Sequence, residues 1–388
     1  MLDLLIVNAN VNGSIVNIAI KDGIIVNVGN SIYGEAKLVW DAKNNVAIPG
    51  FVDCHTHLDK CLLNEKQVYV EGSGPEKGAL TYEMKKKFTT DDITERAERM
   101  INCAIRAGTL HLRTNVDVDA SVGLKGIEAL LELKQKYKDV IHLQVVAFAQ
   151  EGVFWDGKTE VLLEEALKLG ADMVGGHTIA KGEGKKHIDF ILNLAKKYNV
   201  EADFHLDESG NREHYLLPYL SEKIKELGLK GKVNGIHLCT LSALTPPELE
   251  LAIQDIQSCN LKVTIAPTAI STRNIAPAKQ LLKAGVIVGL ASDNIRDFFN
   301  PLGNGDIKQV ALLLSYLQRF FTEEEIQQVF DMITIDGAQV ISALDYGVEV
   351  GNRADITILN AHSAKEVIAY QAQPMLIVRN GIVLNSNY

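Results

Sequence analysis

The chain has 388 residues, of which 47% are hydrophobic and 23% charged, and this composition excludes a disordered or collagen-like protein. A formal net charge of −10 without an obvious basic cluster argues against nucleic acid as a partner, because phosphate backbones are bound by concentrated Lys and Arg. Five cysteines without a CxxC pair argue against a disulfide framework. The sequence shows no signal peptide and no apolar run of about 18 residues, so we expect a cytoplasmic protein that does not enter a membrane. We also expect a homo-oligomer.

Both ends of the chain are rich in short β-like runs. Residues 1–49 contain four apolar or alternating runs separated by Asn, Gly and Asp, and residues 344–388 contain three more, at 354–360, 365–370 and 374–385. Within the last run, Asn380 followed by Gly381 is typical of a β-hairpin turn. The two ends are therefore predicted to form one small β-sandwich domain.

Between these ends, residues 50–343 alternate short apolar strands with amphipathic helical stretches, which is typical of βα units around a parallel sheet. Eight strands are predicted, beginning near Phe51, Thr109, Ile141, Ala171, Val200, Lys232, Lys262 and Val286. Helical spacing occurs over residues 94–108, 125–137, 160–170, 186–198 and 247–257. After the first interval each strand begins 24–32 residues after the previous one, which is the length of one βα unit. We therefore predict an α/β protein with a (β/α)8 TIM barrel.

The first interval is longer than the others. Residues 71–84, between the first strand and the first predicted helix, are rich in Gly and polar side chains. This composition predicts a loop over the mouth of the barrel.

Side chains that can bind metal end four of the predicted strands. His55 and His57 end the first, His205 the fifth, His237 the sixth and Asp293 the eighth. Active sites of such barrels lie at the carboxyl ends of the strands, and residues i and i+2 share one face, so His55 and His57 can bind one ion. Each residue alone is as well explained as a hydrogen-bonded structural group, but the four strands together predict a metal site.

The surrounding motifs resemble those of the amidohydrolase superfamily. The run PGFVDCHTHLDK (49–60) is similar to the first-strand signature of that superfamily. Similarity to cytosine deaminases and N-isopropylammelide isopropyl amidohydrolases continues in HLRTNVDVDA (111–120), VVAFAQEG (145–152), HLDE (205–208) and SDNIRDFFNPLGNGD (292–306). The resemblance spans the whole chain and implies a metal-dependent hydrolase whose substrate is a small nitrogen heterocycle.

The resemblance also implies a ligand set. One divalent ion, zinc or ferrous iron, would be held by His55, His57, His205 and Asp293, with His237 beside the bound water. Such an ion lowers the pKa of water towards about 7 and so supplies hydroxide at neutral pH. Relatives with two ions bridge them through a carboxylated Lys that ends strand four. In this chain that strand reads DMVGGHT, without Lys, which favours a single ion.

Four further residues are assigned roles. Glu208 is the expected proton carrier, with a helix N-terminal acid as the alternative. The amide of Gln150 both donates and accepts hydrogen bonds, which suits the edge of a heterocycle. Phe299 is expected either to stack on a flat ring or only to pack its own loop. His177 is expected either to line the pocket or to cap the loop that follows strand four.

Two departures limit the choice of substrate. Cytosine deaminases carry a second Asp after the strand-eight ligand, whereas this chain has Asn294, as the isopropylammelide hydrolases do. Those hydrolases lack the Glu of HLDE, which this chain retains as Glu208. Asn294 can donate to a substrate oxygen, so we expect cytosine itself to be a poor substrate.

Three functions follow from these residues. The leading hypothesis is hydrolytic deamination of a cytosine-like pyrimidine, a triazine or a related ring, with release of ammonia. The alternatives are release of a substituted amine or opening of a cyclic amide at the same site, and a catalytically silent scaffold.

Overall fold

The computed structural model describes residues 1–32, 34–66 and 71–384, and its strands form three sheets. The strands before residue 50 are β1 (Leu2–Val11), β2 (Ser14–Lys21), β3 (Ile24–Gly29), β4 (Ala36–Asp41) and β5 (Ala47–Ile48). The central strands are β6 (Phe51–Thr56), β7 (Thr109–Asp117), β8 (His142–Ala149), β9 (Met173–His177), β10 (Glu201–Leu206), β11 (Val233–His237), β12 (Lys262–Ile265) and β13 (Val288–Leu290). The last strands are β14 (Ile356–Leu359), β15 (Pro374–Arg379) and β16 (Ile382–Val383).

Helices follow most of the central strands. They are α1 (Gly74–Lys85), α2 (Thr90–Arg106), α3 (Lys125–Lys136), α4 (Thr159–Leu169), α5 (Lys185–Tyr198), α6 (Leu217–Leu227), α7 (Pro246–Cys259), α8 (Ala278–Lys283), α9 (Ile307–Gln318), α10 (Glu323–Met332), α11 (Ile335–Val340) and α12 (Ala364–Ala369). All five predicted helices are present, as α2, α3, α4, α5 and α7. No helix in the described ranges is long and apolar enough to cross a membrane.

The eight central strands form one parallel sheet in sequence order, which confirms the predicted barrel. Each strand begins within two residues of its predicted start. The sheet closes where the backbone N–H of Asp293 donates to the carbonyl of His55 over 2.9 Å. All nine residues of β7 are buried, because helices cover the outside of the barrel and side chains fill its interior.

Strand β9 needs its two glycines. A Cβ on Gly175 would lie 2.0 Å from the carbonyl oxygen of Asp203, and one on Gly176 would lie 2.3 Å from Nε2 of His187. Larger residues would therefore collide with the neighbouring strand and with α5.

The predicted β domain from both chain ends is confirmed. One sheet has the order β3-β2-β1-β4, and the other has the order β16-β15-β14-β5, so that β5 from the amino end pairs with β14 from the carboxyl end. Leu4 and Ile18 pack in the same buried cluster as Ile356 and Val378. The predicted hairpin joins β15 to β16, with positive φ at both central residues as a type I′ turn requires.

Two local predictions were wrong. Residues 71–84 lie largely in helix α1 rather than in a loop; Ser73 and Glu76 form a capping box, and Pro75 occupies the first turn, where its missing N–H costs nothing. The run 365–370 lies in helix α12 rather than a strand, because Ser363 accepts a hydrogen bond from the backbone N–H of Glu366 and so starts a helix.

Candidate active site

Four side chains converge at the carboxyl ends of β6, β10 and β13. Nε2 of His55 lies 3.2 Å from Nε2 of His57 and 3.0 Å from Nε2 of His205. Oδ1 of Asp293 lies 3.4 Å from Nε2 of His57 and 3.6 Å from Nε2 of His55. The predicted ligand residues are thus brought together, and each side chain is almost completely buried.

This cluster fits a divalent cation. A zinc ion with about 2.0–2.1 Å bonds to nitrogen in tetrahedral geometry separates its ligand atoms by about 3.3 Å, close to the distances observed. Oδ1 of Asp293 is buried and has no hydrogen-bond partner among the described residues, which is costly for a carboxylate oxygen unless a cation binds it. Burial, reinforced by the adjacent His57 and His205, holds the pKa of His55 well below 6.5, so the ring keeps the neutral form that binds metal.

Outer contacts orient the imidazoles. Nδ1 of His57 lies 3.1 Å from the carbonyl oxygen of Asn115, so it carries the proton and leaves Nε2 free to bind. Nδ1 of His55 lies 4.0 Å from Oδ1 of Asp203. Sequence reasoning missed Asn115 and Asp203; Asp203 could have been found, because it precedes His205 by two residues and therefore shares its face of β10.

The end of β13 is fixed by side-chain hydrogen bonds. Ser292 donates its backbone N–H and its hydroxyl to the carboxylate of Asp53, over 3.0 and 2.5 Å. Asp293 then adopts a φ of +58°, and His237 at the end of β11 adopts a φ of +77°, values that are uncommon for these residues. Such backbone strain is typical of functional sites.

Glu208 lies next to the cluster and contacts several cationic or imidazole groups. Its Oε2 lies 3.0 Å from Nδ1 of His205, 3.3 Å from Nε2 of His177 and 3.8 Å from Nε2 of His237. Its Oε1 accepts a hydrogen bond from the guanidinium of Arg273. Burial acts to raise the pKa of Glu208, but His237 and Arg273 outweigh burial and hold that pKa well below 4.5. The carboxylate is therefore ionised and oriented from two sides.

The structure bears on one sequence interpretation and adds one residue to the site. Asp207, and not Glu208, accepts hydrogen bonds from the N–H groups of Leu216 and Leu217 at the start of α6, which disfavours the alternative that Glu208 is the acid of the next helix. Arg273 was not predicted at all. It lies in an irregular segment after β12, where no periodicity marks it.

A cavity of about 780 Å³ opens above the cluster. It is lined by the four residues predicted to bind substrate, which are Gln150, His177, Asn294 and Phe299. Glu208 and two residues of the cluster, His205 and Asp293, line it as well. Part of the hydrogen-bonding capacity of Asn294 is already used, because its amide donates to Oδ2 of Asp297 over 2.5 Å. Helix α1 forms the opposite wall, so the segment predicted as a loop does lie over the barrel mouth.

The sequence profile of the amidohydrolase family matches residues 46–384. The chain belongs to the amidohydrolase family. This amidohydrolase is 35% identical over 395 residues to N-isopropylammelide isopropyl amidohydrolase of Pseudomonas sp. (strain ADP), a match that covers 98% of this chain and 97% of that protein. The resemblance seen in the motifs is therefore confirmed, as is the enzyme class of hydrolases that act on C–N bonds.

Solved structures agree with this assignment. The amidohydrolase superposes on 5-methylcytosine deaminase from Klebsiella pneumoniae, liganded with phosphonocytosine, with a TM-score of 0.93 and 27% identity over 99% of this chain and 98% of that one. For N-isopropylammelide isopropylaminohydrolase from Burkholderia multivorans the TM-score is 0.91, at 26% identity and the same coverage. The relatives are thus hydrolytic deaminases and amidohydrolases of heterocycles, in a metal-dependent family.

Proposed function

We propose that this amidohydrolase is a metal-dependent deaminase that hydrolyses a small nitrogen heterocycle, such as a cytosine-like pyrimidine or a triazine, and releases ammonia. The observation that carries the proposal is the position of the Glu208 carboxylate. It lies 3.0 Å from Nδ1 of His205 and lines the same cavity as Asp293. A proton carrier and a cation-binding cluster therefore open on one cavity.

One divalent ion, zinc or ferrous iron, would be held by His55, His57, His205 and Asp293. Three imidazoles and one carboxylate suit either metal, and a catalytic ion keeps a further coordination position open for water. When bound, the ion supplies Lewis-acid activation of water at neutral pH.

Deamination adds the oxygen of water to the ring carbon that bears the amino group, and then breaks the bond from that carbon to the amino nitrogen. Glu208, ionised before the reaction, would accept one proton from the attacking water and deliver it to a ring nitrogen. It would then carry the second proton, from the hydroxyl group added to the ring carbon, to the amino nitrogen, which leaves as ammonia while the carbonyl forms. Asp293 could accept the proton of the attacking water in place of Glu208. Both ring nitrogens of His237 are buried without a hydrogen-bond partner among the described residues, so this side chain is free to orient the water or stabilise the developing oxyanion.

Substrate binding is assigned to the cavity wall. Gln150 would pair with a ring edge by donating and accepting hydrogen bonds, and the half-buried Phe299 would stack on the ring face. Asn294 would contact the ring edge near Asp293. His177, in contact with Glu208 and the cavity, would help position the leaving group.

A second candidate reaction is release of a substituted amine. It is favoured by the 35% identity to a protein named N-isopropylammelide isopropyl amidohydrolase. Opening of a cyclic amide would use the same residues. The scaffold alternative is disfavoured, because a scaffold has no need to retain four converging ligands and an oriented Glu208 in a cavity.

The test is a screen of the zinc-loaded and the iron-loaded enzyme against pyrimidines, triazines, pterins and creatinine-like rings, with ammonia as the readout. N-isopropylammelide is included, and its amine product is identified. Ammonia from an amino-substituted ring supports deamination, and isopropylamine supports the second candidate. If metal-containing protein releases neither ammonia nor isopropylamine from any compound in the panel, the proposed function is contradicted.

Further proposals concern the whole chain. We propose a barrel over residues 50–343 and a β domain from residues 1–49 and 344–388. Cytoplasmic residence is supported by the five cysteines, all free thiols. A homo-oligomer is supported by exposed large apolar side chains such as Tyr316 and Tyr370, 67% and 75% exposed. Light scattering of the purified protein tests the oligomer.

A further inference from the structure

Glu151 directly follows Gln150 and lines the same cavity. Its side chain is 17% exposed, and Nζ of Lys85 lies 3.6 Å from its carboxylate, while the charge of Lys181 acts on it from farther away. That distance is too long for a good hydrogen bond. No hydrogen bond to this carboxylate is formed by another described residue, although the group is largely desolvated.

Lys85 forms no short hydrogen bond to Glu151, because it lies closer to two other carboxylates. The ammonium of this fully buried side chain donates to Oδ2 of Asp119 over 2.5 Å and to Oδ2 of Asp117 over 3.0 Å. The second oxygen of Asp117 in turn accepts from Nζ of Lys60 over 2.5 Å. Both lysines of this network are thus engaged by Asp117 and Asp119, and the Glu151 carboxylate retains the capacity to accept a hydrogen bond from another donor.

Glu183, in the same region, is a carboxylate that accepts hydrogen bonds from the protein, and it serves as a comparison for Glu151. Glu183 accepts hydrogen bonds from the backbone N–H groups of Val153 and Phe154 over 2.6 and 2.7 Å, and it contacts His187. Glu151 has no such donors, so the donor must come from solvent or from a ligand in the cavity.

Two aromatic side chains flank this part of the cavity. Tyr82 of α1 and Trp155 both line it, and their rings pack edge to face with centroids 5.3 Å apart. This pair offers an apolar surface against which a flat ring or its substituent can pack. A desolvated acceptor beside such a surface selects a ligand that is flat and carries a hydrogen-bond donor.

We propose that Glu151 determines substrate specificity by accepting a hydrogen bond from a ring N–H or an exocyclic N–H of the heterocycle, at an edge other than the one that reacts. This assignment rests on the proposed function and narrows its substrate class. An ionised carboxylate only accepts hydrogen bonds, so rings that present a lone pair or an N-alkyl group to Glu151 are disfavoured.

The experiment uses the zinc-loaded enzyme, the best ring from the panel above, and a series of that ring methylated in turn at each N–H other than the reacting amine. In the wild type, methylation of the nitrogen that faces Glu151 is expected to lower kcat/KM by roughly 10- to 150-fold, the effect of losing a hydrogen bond to a charged group. In Glu151→Gln, whose neutral amide still accepts a hydrogen bond but a weaker one, the parent ring should lose part of this factor and the methylation penalty should fall by the same part. Glu226→Gln is the matched control, because Glu226 is an exposed Glu paired with Lys223 and does not line the cavity. Its kinetics should match the wild type.

The outcomes separate the two proposals. If no methylated ring loses activity in the wild type, or if the penalty persists unchanged in Glu151→Gln, the Glu151 assignment is overturned while the proposed function stands. If the wild type turns over no ring at all, the proposed function fails and this assignment with it. The wild-type methylation series needs no variant, so it decides the donor requirement even if Glu151→Gln does not fold.

Discussion

The inner cluster and the outer wall of the cavity are built in different ways. The cluster takes His55, His57, His205 and Asp293 from strand ends whose positions are set by backbone pairing around the barrel. The outer wall takes Tyr82 from helix α1, and Glu151 and Trp155 from the connection after β8, which meet through side chains alone. In the proposed function, reaction chemistry would thus depend on the rigid part of the fold, and substrate selection on connections that can change without disturbing the barrel. Variants in the two regions should therefore fail differently.

The largest effect is expected for His205→Ala. Removing one of three imidazoles leaves an incomplete ligand set, so metal content should fall well below about one ion per chain and turnover should be lost. Metal is measured by elemental analysis of the purified protein, and activity by ammonia release. Retention of full metal occupancy in the variant would locate the ion elsewhere.

Glu208→Gln should keep the metal but lose the reaction. The amide preserves the shape of the side chain and cannot carry a proton, and general acid–base groups contribute about 10²- to 10⁴-fold to kcat. Elemental analysis of the same preparation is the control that separates this variant from His205→Ala. Near-normal kcat would reduce Glu208 to a structural acid.

These two variants concern residues that the sequence could identify, and the reason is physical. Strand ends carry period-two patterns, and βα units recur at a nearly constant length, so eight strands and the side chains that end them can be located from one sequence. Arg273 and Glu151 follow strands in irregular segments, where no period fixes the direction of a side chain. Helix α1 was missed because it carries no apolar stripe; its capping box at Ser73 and Glu76 was the available signal.

Arg273 offers a test between the two regions. Arg273→Met removes the donor that orients Oε1 of Glu208 and should lower kcat by roughly 10- to 150-fold, the range for a hydrogen bond between charged groups. KM should change much less if the effect acts through Glu208. Arg273→Lys keeps the charge and should recover part of kcat. A change confined to KM would instead make Arg273 a direct substrate ligand.

The smallest effect is expected for Asn294→Asp, where the cluster and the wall meet. The amide of Asn294 already donates to Asp297, so only part of its hydrogen-bonding capacity is available to substrate. Replacing it with a carboxylate should shift the ratio of kcat/KM for cytosine against the best ring towards cytosine by roughly 2- to 10-fold. An unchanged ratio, or a wild type that already deaminates cytosine efficiently, would remove Asn294 as a discriminator.

That variant also has a predicted pH signature, which distinguishes specificity from damage to the fold. Burial raises the pKa of Asp297 to about 6, and a second carboxylate beside it disfavours ionisation of both. When the pKa of a carboxyl group is higher in the folded state than in the unfolded state, the folded protein loses stability as pH rises through the pKa of the folded state. Asn294→Asp should therefore melt closer to the wild type near pH 5 than near pH 8. If the variant is equally destabilised at both pH values, charge repulsion with Asp297 is not the cause of the destabilisation. The ratio of kcat/KM then has to be measured at a pH where the variant is fully folded.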